Sequence, residues 1–225
     1  DDVDDCVGSL DSCGVCNGDG TSCLGCTSEN ACNYDDTATI DDGSCEFQEL
    51  TALPGDGPAC GLFFSGYAEG TASDKFLEIY NPTDSDISLS DFAFPSVSNA
   101  PDNPGEYEYW NEFPEGASVA AGDVYIIAHP SADEAILAEA DHFHLYLSNG
   151  DDGYALVQGG VFTDGGDIGE IEAGEMTDYS IVDIIGTFDA DPGSGWEVAG
   201  VSNGTKDHSL IRKSEIHSGN GGDWD

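Results

Sequence analysis

All eight cysteines of this 225-residue chain lie between Asp1 and Cys60, and this uneven distribution is the feature that most limits its fold. The same stretch contains 14 Asp and Glu residues and no Lys or Arg. It has few large apolar side chains, so a unit of this size needs disulfides or a metal to hold its structure. A Pro- and Gly-rich segment at residues 53–58 predicts a linker to a larger, cysteine-free unit.

The even number of cysteines favours a disulfide framework and an oxidising, extracellular compartment. Two C-x-x-C pairs leave structural zinc as an alternative, although only residues 17–22 separate them, against about 15–20 residues in zinc ribbons. We expect one pairing, Cys32 with Cys45, because it would close the acidic loop between them. The predicted disulfide cysteines are Cys6, Cys13, Cys16, Cys23, Cys26, Cys32, Cys45 and Cys60.

The chain carries 46 Asp and Glu against 4 Lys and Arg, a formal net charge of −42. Four cations cannot build the basic surface that a nucleic-acid backbone requires, and an anionic membrane would repel the chain. The sequence has no apolar run of about 18 residues, so we expect no membrane insertion. Its first residues do not resemble a signal peptide, so we expect that any targeting segment has been removed or left out.

Oxygen-bearing side chains recur in two acidic loops, and this pattern predicts calcium binding, because calcium takes about six to eight hard oxygen ligands. Gly43 permits a tight turn in the second loop. Neither loop follows the helix–loop–helix calcium pattern. The alternative is a solvated acidic surface that keeps the protein soluble. The candidate ligands are Asp2, Asp4 and Asp11 in the first loop and Asp35, Thr37, Thr39, Asp41 and Asp42 in the second.

The larger unit is predicted to be mainly β, because short runs rich in β-branched and aromatic residues alternate with turn signals. Short strands at fairly regular spacing argue for a β-sandwich. One helix is expected over 132–139, with Ser131 as its cap. The predicted strands are 62–64, 76–80, 87–89, 124–128, 154–157, 181–185 and 208–211.

The larger unit contains a series of motifs at 76–82, 87–92, 121–128, 149–156, 182–186 and 206–213. Together these motifs resemble a bacterial lamin tail domain. The resemblance covers about residues 61–220 and implies an immunoglobulin-like β-sandwich that acts as a binding or attachment unit without catalytic residues. Bacterial members of that family are typically secreted or attached to the surface.

Two stretches of the cysteine-containing region also resemble known modules. Residues 11–23 are similar to Asp- and Cys-rich, thrombospondin-like repeats of bacterial surface proteins, and 25–45 resemble a short cysteine module. Both resemblances imply spacers, and the first implies calcium. The predicted organisation is therefore a spacer at 1–25, a small disulfide module and linker at 26–60, and the lamin-tail-like unit at 61–225.

Two inserts, at about 97–113 and 163–178, depart from the lamin tail pattern. The first contains Tyr107, Tyr109, Trp110 and Phe113, which predict either a contact surface or a cover for the unit's own core.

The chain also stops where we expect a further strand, so the unit is either cut from a longer protein or completed by a neighbouring segment.

Catalytic interpretations receive little support from the sequence. His142 and His144 would share a face of an extended segment beside Asp141, but two such ligands often occur by chance. The run 207–209 contains the residue types of a hydrolase triad, although neighbours on a strand do not face one another.

We therefore expect a non-catalytic, secreted structural or adhesive module, stiffened by disulfides and calcium. Its expected partners are calcium ions and neighbouring subunits or surface components, and a homo-polymer joined through sheet edges is one form of this hypothesis. The alternative is an accessory binding module of a secreted hydrolase, such as a nuclease or phosphatase.

Overall fold

A computed structural model describes residues 13–18, 20–28, 37–45, 61–147, 149–163, 174–214, 216 and 218–219. The chain divides into two compact units, Asp1–Cys60 and Gly61–Asp225. Among the described residues, no helix is long and apolar enough to cross a membrane.

The described part of the first unit contains two short parallel strands and two disulfides. Strand β1, Leu24–Gly25, pairs with strand β2, Ile40–Asp41. The disulfides join Cys13 to Cys23 and Cys26 to Cys45. Cys16 is also disulfide-bonded. These bonds agree with an oxidised framework, whereas Cys6, Cys32 and Cys60 lie outside the described residues.

The expected Cys32–Cys45 bond is wrong, because Cys45 is bonded to Cys26. The pairing of β1 with β2 explains the difference. Cys26 follows β1 directly, and the turn after β2 brings Cys45 back beside it, with the two Cα atoms 4.7 Å apart. The bond therefore encloses the whole loop between the two strands rather than its second half.

The larger unit is built from eleven strands, one short α-helix and one 3-10 helix (Leu89–Asp91) in its described residues, and the prediction of a mainly β fold is confirmed. Each of the seven predicted strands overlaps an observed one. The strands are β3 (Phe63–Glu69), β4 (Lys75–Tyr80), β5 (Ile87–Ser88), β6 (Phe92–Ala93), β7 (Ser96–Val97), β8 (Ser118–Val119), β9 (Val124–Ala128), β10 (His142–Phe143), β11 (Gly153–Phe162), β12 (Met176–Ile185) and β13 (Ser209–Ile211).

These strands form two main sheets. The first has the order β10-β9-β4-β3-β13, and the second has the order β12-β11-β6, with β7 also paired to β11. Strands β5 and β8 form a separate two-stranded ladder. Strand β10 runs parallel to β9, whereas the other neighbours in the two main sheets are antiparallel.

The main core lies between the two sheets. Phe64, Leu77 and Ile127 come from the first sheet and are at most 1% exposed. Leu156 and Ile185 come from the second sheet and pack in the same cluster. Buried and half-buried residues alternate along β4, as expected for a strand with one face on a core.

The second sheet is buried on its other face as well. Along β11, Tyr154 and Leu156 belong to the main core, whereas Ala155 and Val157 belong to a second cluster. Successive side chains of a strand point to opposite faces, so one strand serves two cores. Tyr107, from the first insert, is 1% exposed within this second cluster.

The α-helix of the described residues is shorter than predicted. Helix α1 spans Glu134–Leu137, and its cap is Asp133, whose carboxylate accepts a hydrogen bond from the amide of Ala135. Ser131 was the expected cap, and that expectation is wrong. The backbone amide of Ser131 instead donates to the imidazole of His129, just before the helix begins.

Candidate functional site

The described part of the second acidic loop places two predicted calcium ligands in one turn. Asp41 accepts a hydrogen bond from the amide of Gly43 at 2.9 Å, and Asp42 accepts one from the amide of Ser44 at 2.9 Å. The hydrogen bonds from Ser44 lower the pKa of the Asp42 carboxyl. Both side chains are exposed, and a carboxylate has about four lone-pair sites, so each can also take a cation.

The remaining predicted ligands do not join this pair in the described structure. Thr37 and Thr39 are exposed, and the amide of Thr39 donates to the carbonyl of Cys23. In the described ranges, no three or more His, Cys, Asp or Glu side chains are grouped closely enough to hold a metal. The other four candidates, Asp2, Asp4, Asp11 and Asp35, lie outside the described residues. Calcium binding in this loop therefore stays a prediction.

The two histidines of the 141–144 run pack as aromatic rings. His142 and His144 each contact the ring of Phe94 edge-on, with centroid distances of 5.7 Å and 5.2 Å. Burial lowers the pKa of both imidazoles, that of His144 to about 4. Their ring centroids are 6.5 Å apart. The pair therefore completes the rim of the main core.

The triad residue types at 207–209 are not arranged for catalysis. The imidazole of His208 contacts the backbone carbonyl of Lys206, and the amide of Asp207 donates to the carboxylate of Glu69. Ser209 is already on β13. These contacts fold the turn that leads into the strand.

The aromatic insert mainly covers its own unit. Trp110 packs against Tyr107 and Tyr179, with ring centroids 5.3 Å away in each pair, and Phe113 packs against Phe94 at 5.1 Å. Tyr109 is different, since it is 56% exposed. The predicted contact surface is thus reduced to one ring, and the core-cover interpretation holds for the other three.

An exposed apolar strip lies instead at the end of the edge strand β10. Phe143, Leu145 and Tyr146 are 54%, 57% and 75% exposed. A soluble protein rarely leaves three neighbouring large apolar side chains in water without a use for them. The sequence offered a weak signal for this strip, because its alternation of aromatic and polar residues is equally compatible with a buried strand.

A buried ion pair links the two sheets. Both oxygens of Asp183, on β12, lie 2.9 Å from the Arg212 guanidinium, which follows β13. The amide of Phe64 on β3 donates to the same carboxylate at 2.9 Å, while Arg212 donates to the Phe64 carbonyl at 2.8 Å. Asp183 is fully buried. Sequence reasoning missed this pair because its members lie on different sheets and are distant along the chain.

A second group of buried charges lies where β3 ends and β4 begins. Lys75 and Glu69 form an ion pair at 4.0 Å, and both are nearly buried. The Asp152 carboxylate accepts hydrogen bonds from the amides of Asn99 and Asn149, and burial raises its pKa to about 6. These groups hold loops against the strand ends.

The two exposed cations of the chain flank one strand. Lys75 and Arg212 are held in the ion pairs described above, whereas Lys206 and Lys213 are exposed on either side of β13. Within β13, Ile211 is 80% exposed. This strand therefore combines an exposed edge, a large apolar side chain and the accessible positive charge of a strongly acidic protein.

No family model matches this sequence, and no curated protein matches it.

Proposed function

We propose that this chain is a non-catalytic structural or adhesive module of an extracellular bacterial surface protein or appendage. The observation that carries the proposal is the buried Asp183–Arg212 pair. It fixes the end of β13, the edge strand of the first sheet, to β12 of the second sheet and to the neighbouring strand β3. The chain begins β3 at Phe63 and leaves β13 at Arg212, at the same end of the β3–β13 ladder. A clamp there opposes separation of these strands under tension.

The stacked sheets fit the fold that the lamin tail resemblance implies. We infer an immunoglobulin-like β-sandwich, since the two sheets share a core and all seven predicted strands occur. Insert 97–113 fits as an added cover on the second sheet. The exposed strip of Phe143, Leu145 and Tyr146 would supply the adhesive contact with a neighbouring subunit or a surface component.

Secretion is part of the same proposal. Two disulfides in a small acidic unit favour an oxidising compartment, because reducing cytosol does not maintain such bonds. Antibody labelling of intact, unpermeabilised cells of the source organism tests the location directly. We expect surface or filament labelling, together with no turnover of nuclease and phosphatase substrates by the purified chain. Labelling only after permeabilisation, or specific hydrolysis, would overturn the proposal.

Calcium would stiffen the first unit by neutralising its carboxylates, and Asp41 and Asp42 would contribute ligands from one turn. Ion binding to the folded unit adds binding free energy to folding free energy. In support of this role, the stretch from Asp1 to Cys60 carries 14 acids and no Lys or Arg, so no internal cation relieves their repulsion.

Limited proteolysis in calcium and in chelator tests this role. We expect chelation to accelerate cleavage within residues 1–60, and the double variant Asp41→Asn/Asp42→Asn to be cleaved faster in calcium than the native chain. Asp102→Asn, at an exposed acid of the larger unit, is the matched control and should behave like the native chain. Identical cleavage with calcium and chelator would count against a calcium site.

A further inference from the structure

Among the described strands, β13 is an edge strand of the first sheet. Among the described strands it pairs only with β3, in the register Ser209 with Ala68 and Ile211 with Gly66. The carbonyl of His208 and the amide of Arg212 bond to the neighbouring strand β3. Antiparallel ladders alternate, so the N–H and C=O groups of Ser209 and Ile211 point away from β3.

We propose that two copies of this chain pair edge to edge through β13, antiparallel and across a two-fold axis at Leu210. In this register, Ser209 of each copy lies opposite Ile211 of the other. Their outward amides and carbonyls then form four main-chain hydrogen bonds, two for each pair. The same surface serves both partners, so the contact closes as a dimer.

The two-fold arrangement is also complementary in charge. Asp207 precedes β13 in a turn, with a φ of +55°, and Lys213 follows the strand; both residues are exposed. Antiparallel pairing across the two-fold axis brings the start of β13 in one copy beside its end in the other. An exposed carboxylate and an exposed cation therefore lie near each other at both ends of the contact.

Apolar contact favours the same arrangement. Leu210 packs on the main core, so Ser209 and Ile211 point to the outer face of the first sheet. Ile211 is 80% exposed in the single chain. In the dimer the two Ile211 side chains are diagonal neighbours on that face, close enough for contact.

The net charge of the chain favours β13 as the place where two copies would contact each other. A chain of net charge −42 repels its own copies over nearly all of its surface. Lys206 and Lys213 are its exposed cations, and both flank β13. Self-association through opposite charges must therefore use this edge.

Salt added from a low concentration should first lower the dimer Kd. Screening weakens the long-range repulsion between the two copies more than it weakens the close contact.

Charge exchange tests the contact between Asp207 and Lys213 of the two copies, by sedimentation equilibrium of the full chain. We expect Lys213→Asp and Asp207→Lys each to raise the dimer Kd about tenfold, since each replaces two attractive pairs by two repulsive ones. The double exchange Asp207→Lys/Lys213→Asp should restore the native Kd to within about threefold. Lys206→Asp changes the net charge as Lys213→Asp does but lies outside the pair, so it should have a smaller effect.

Ile211→Pro tests the main-chain bonds separately. The Ile211 amide points away from β3, so proline removes a bond to the partner copy but no bond within the sheet. We expect a monomer with an unchanged far-UV circular dichroism spectrum. A chain that is monomeric at millimolar concentration, grows beyond dimers, or gives no recovery in the double exchange would overturn the proposal. This inference goes beyond the structural role proposed above, which cell-surface labelling tests independently.

Discussion

Asp183 illustrates how a charge can be held inside this protein. Its carboxylate is fully buried, yet it faces the Arg212 guanidinium and accepts hydrogen bonds from the amides of Phe64 and Ile184. A buried charge is tolerated when its partners satisfy it, and it becomes costly when one partner is lost. The pair therefore makes the position of β12 against β3 specific.

Replacing Asp183 by Asn should destabilise the larger unit by about 3–5 kcal/mol, because the Arg212 charge would remain buried without compensation. Chemical denaturation followed by tryptophan fluorescence measures the free energy of unfolding. Asp178→Asn, an exposed acid on the same strand, should change it by less than about 0.5 kcal/mol. A loss below about 1 kcal/mol for Asp183→Asn would contradict this account.

His144 makes the stability depend on pH. Burial lowers its pKa from 6.5 to about 4. Between these values the unfolded chain binds more protons than the folded one, so stability is highest above pH 6.5 and falls as the pH drops towards 4. Asp152 acts in the opposite sense, because its raised pKa lets the folded state bind more protons between pH 3.8 and 6.

Substituting His144 by Phe should reduce the loss of stability towards acid pH, while the lowered pKa of His142 and the raised pKa of Asp152 keep their effects. Comparing unfolding free energies at about pH 7 and about pH 4.5, we expect the native chain to lose about 1–2 kcal/mol more than the variant, a figure that allows for the partial exposure of the ring. His208→Phe, at an exposed histidine, is the matched control. Equal slopes for all three proteins would disprove the assignment to His144.

At the scale of elements, insert 97–113 acts as a third layer over the second sheet. Tyr107 is its anchor, since the ring is buried and its hydroxyl accepts a hydrogen bond from the amide of Met176 at 2.9 Å. Tyr109 is two positions further on and on the solvent side. The layer explains why β11 is buried on both faces.

Tyr107→Ala should therefore cost about 3–5 kcal/mol of stability, as for other large aromatic truncations in a core. Tyr107→Phe should cost about 1–3 kcal/mol, because the amide of Met176 loses its acceptor inside the protein. Tyr109→Ala is the matched control and should cost less than about 1 kcal/mol. Similar effects of alanine at 107 and 109 would argue against the layer; thermal unfolding distinguishes the outcomes.

Sequence patterns predicted the longer strands well and the short ones poorly. Strands β4 and β9 were identifiable because β-branched and aromatic residues are concentrated there. Two-residue strands such as β6, β7 and β10 have no period of their own and form only where a long neighbour pairs with them. For the same reason the extension of β11 to Phe162 was not expected, since Gly159 and Gly160 interrupt the apolar pattern.

At the scale of the whole molecule, the two units depend on different forces. The larger unit has no cysteine and relies on its cores and buried ion pairs, whereas the smaller unit relies on covalent bonds. The smaller unit has few apolar residues, so its disulfides supply most of its stability. They do so by restricting the conformations of the unfolded chain.

Reduction should therefore act on one unit alone. Opening Cys26–Cys45, which spans a sequence separation of 19, should cost the smaller unit about 3 kcal/mol. Mass spectrometry after limited proteolysis should show faster cleavage within residues 1–60 in reductant. Cleavage within residues 61–225 serves as the internal control and should be unchanged; accelerated cleavage there would refute the independence of the two units.

The candidate sites were less predictable than the fold. Acidic loops could be recognised from composition, but Asp41 and Asp42 are engaged by turn amides that no sequence pattern distinguishes from free carboxylates. Cys45 is bonded to Cys26 because the parallel pairing of β1 with β2 brings the two cysteines together. Contacts between distant segments, including Asp183 with Arg212, arise from topology and leave no local signal.

Phe63 and Arg212 lie at the same end of the β3–β13 ladder. A force that pulls these two residues apart would therefore open the ladder from that end, one hydrogen bond after another, instead of shearing all of its bonds at once. The Asp183–Arg212 pair lies at that end, so it would be among the first contacts to carry the load.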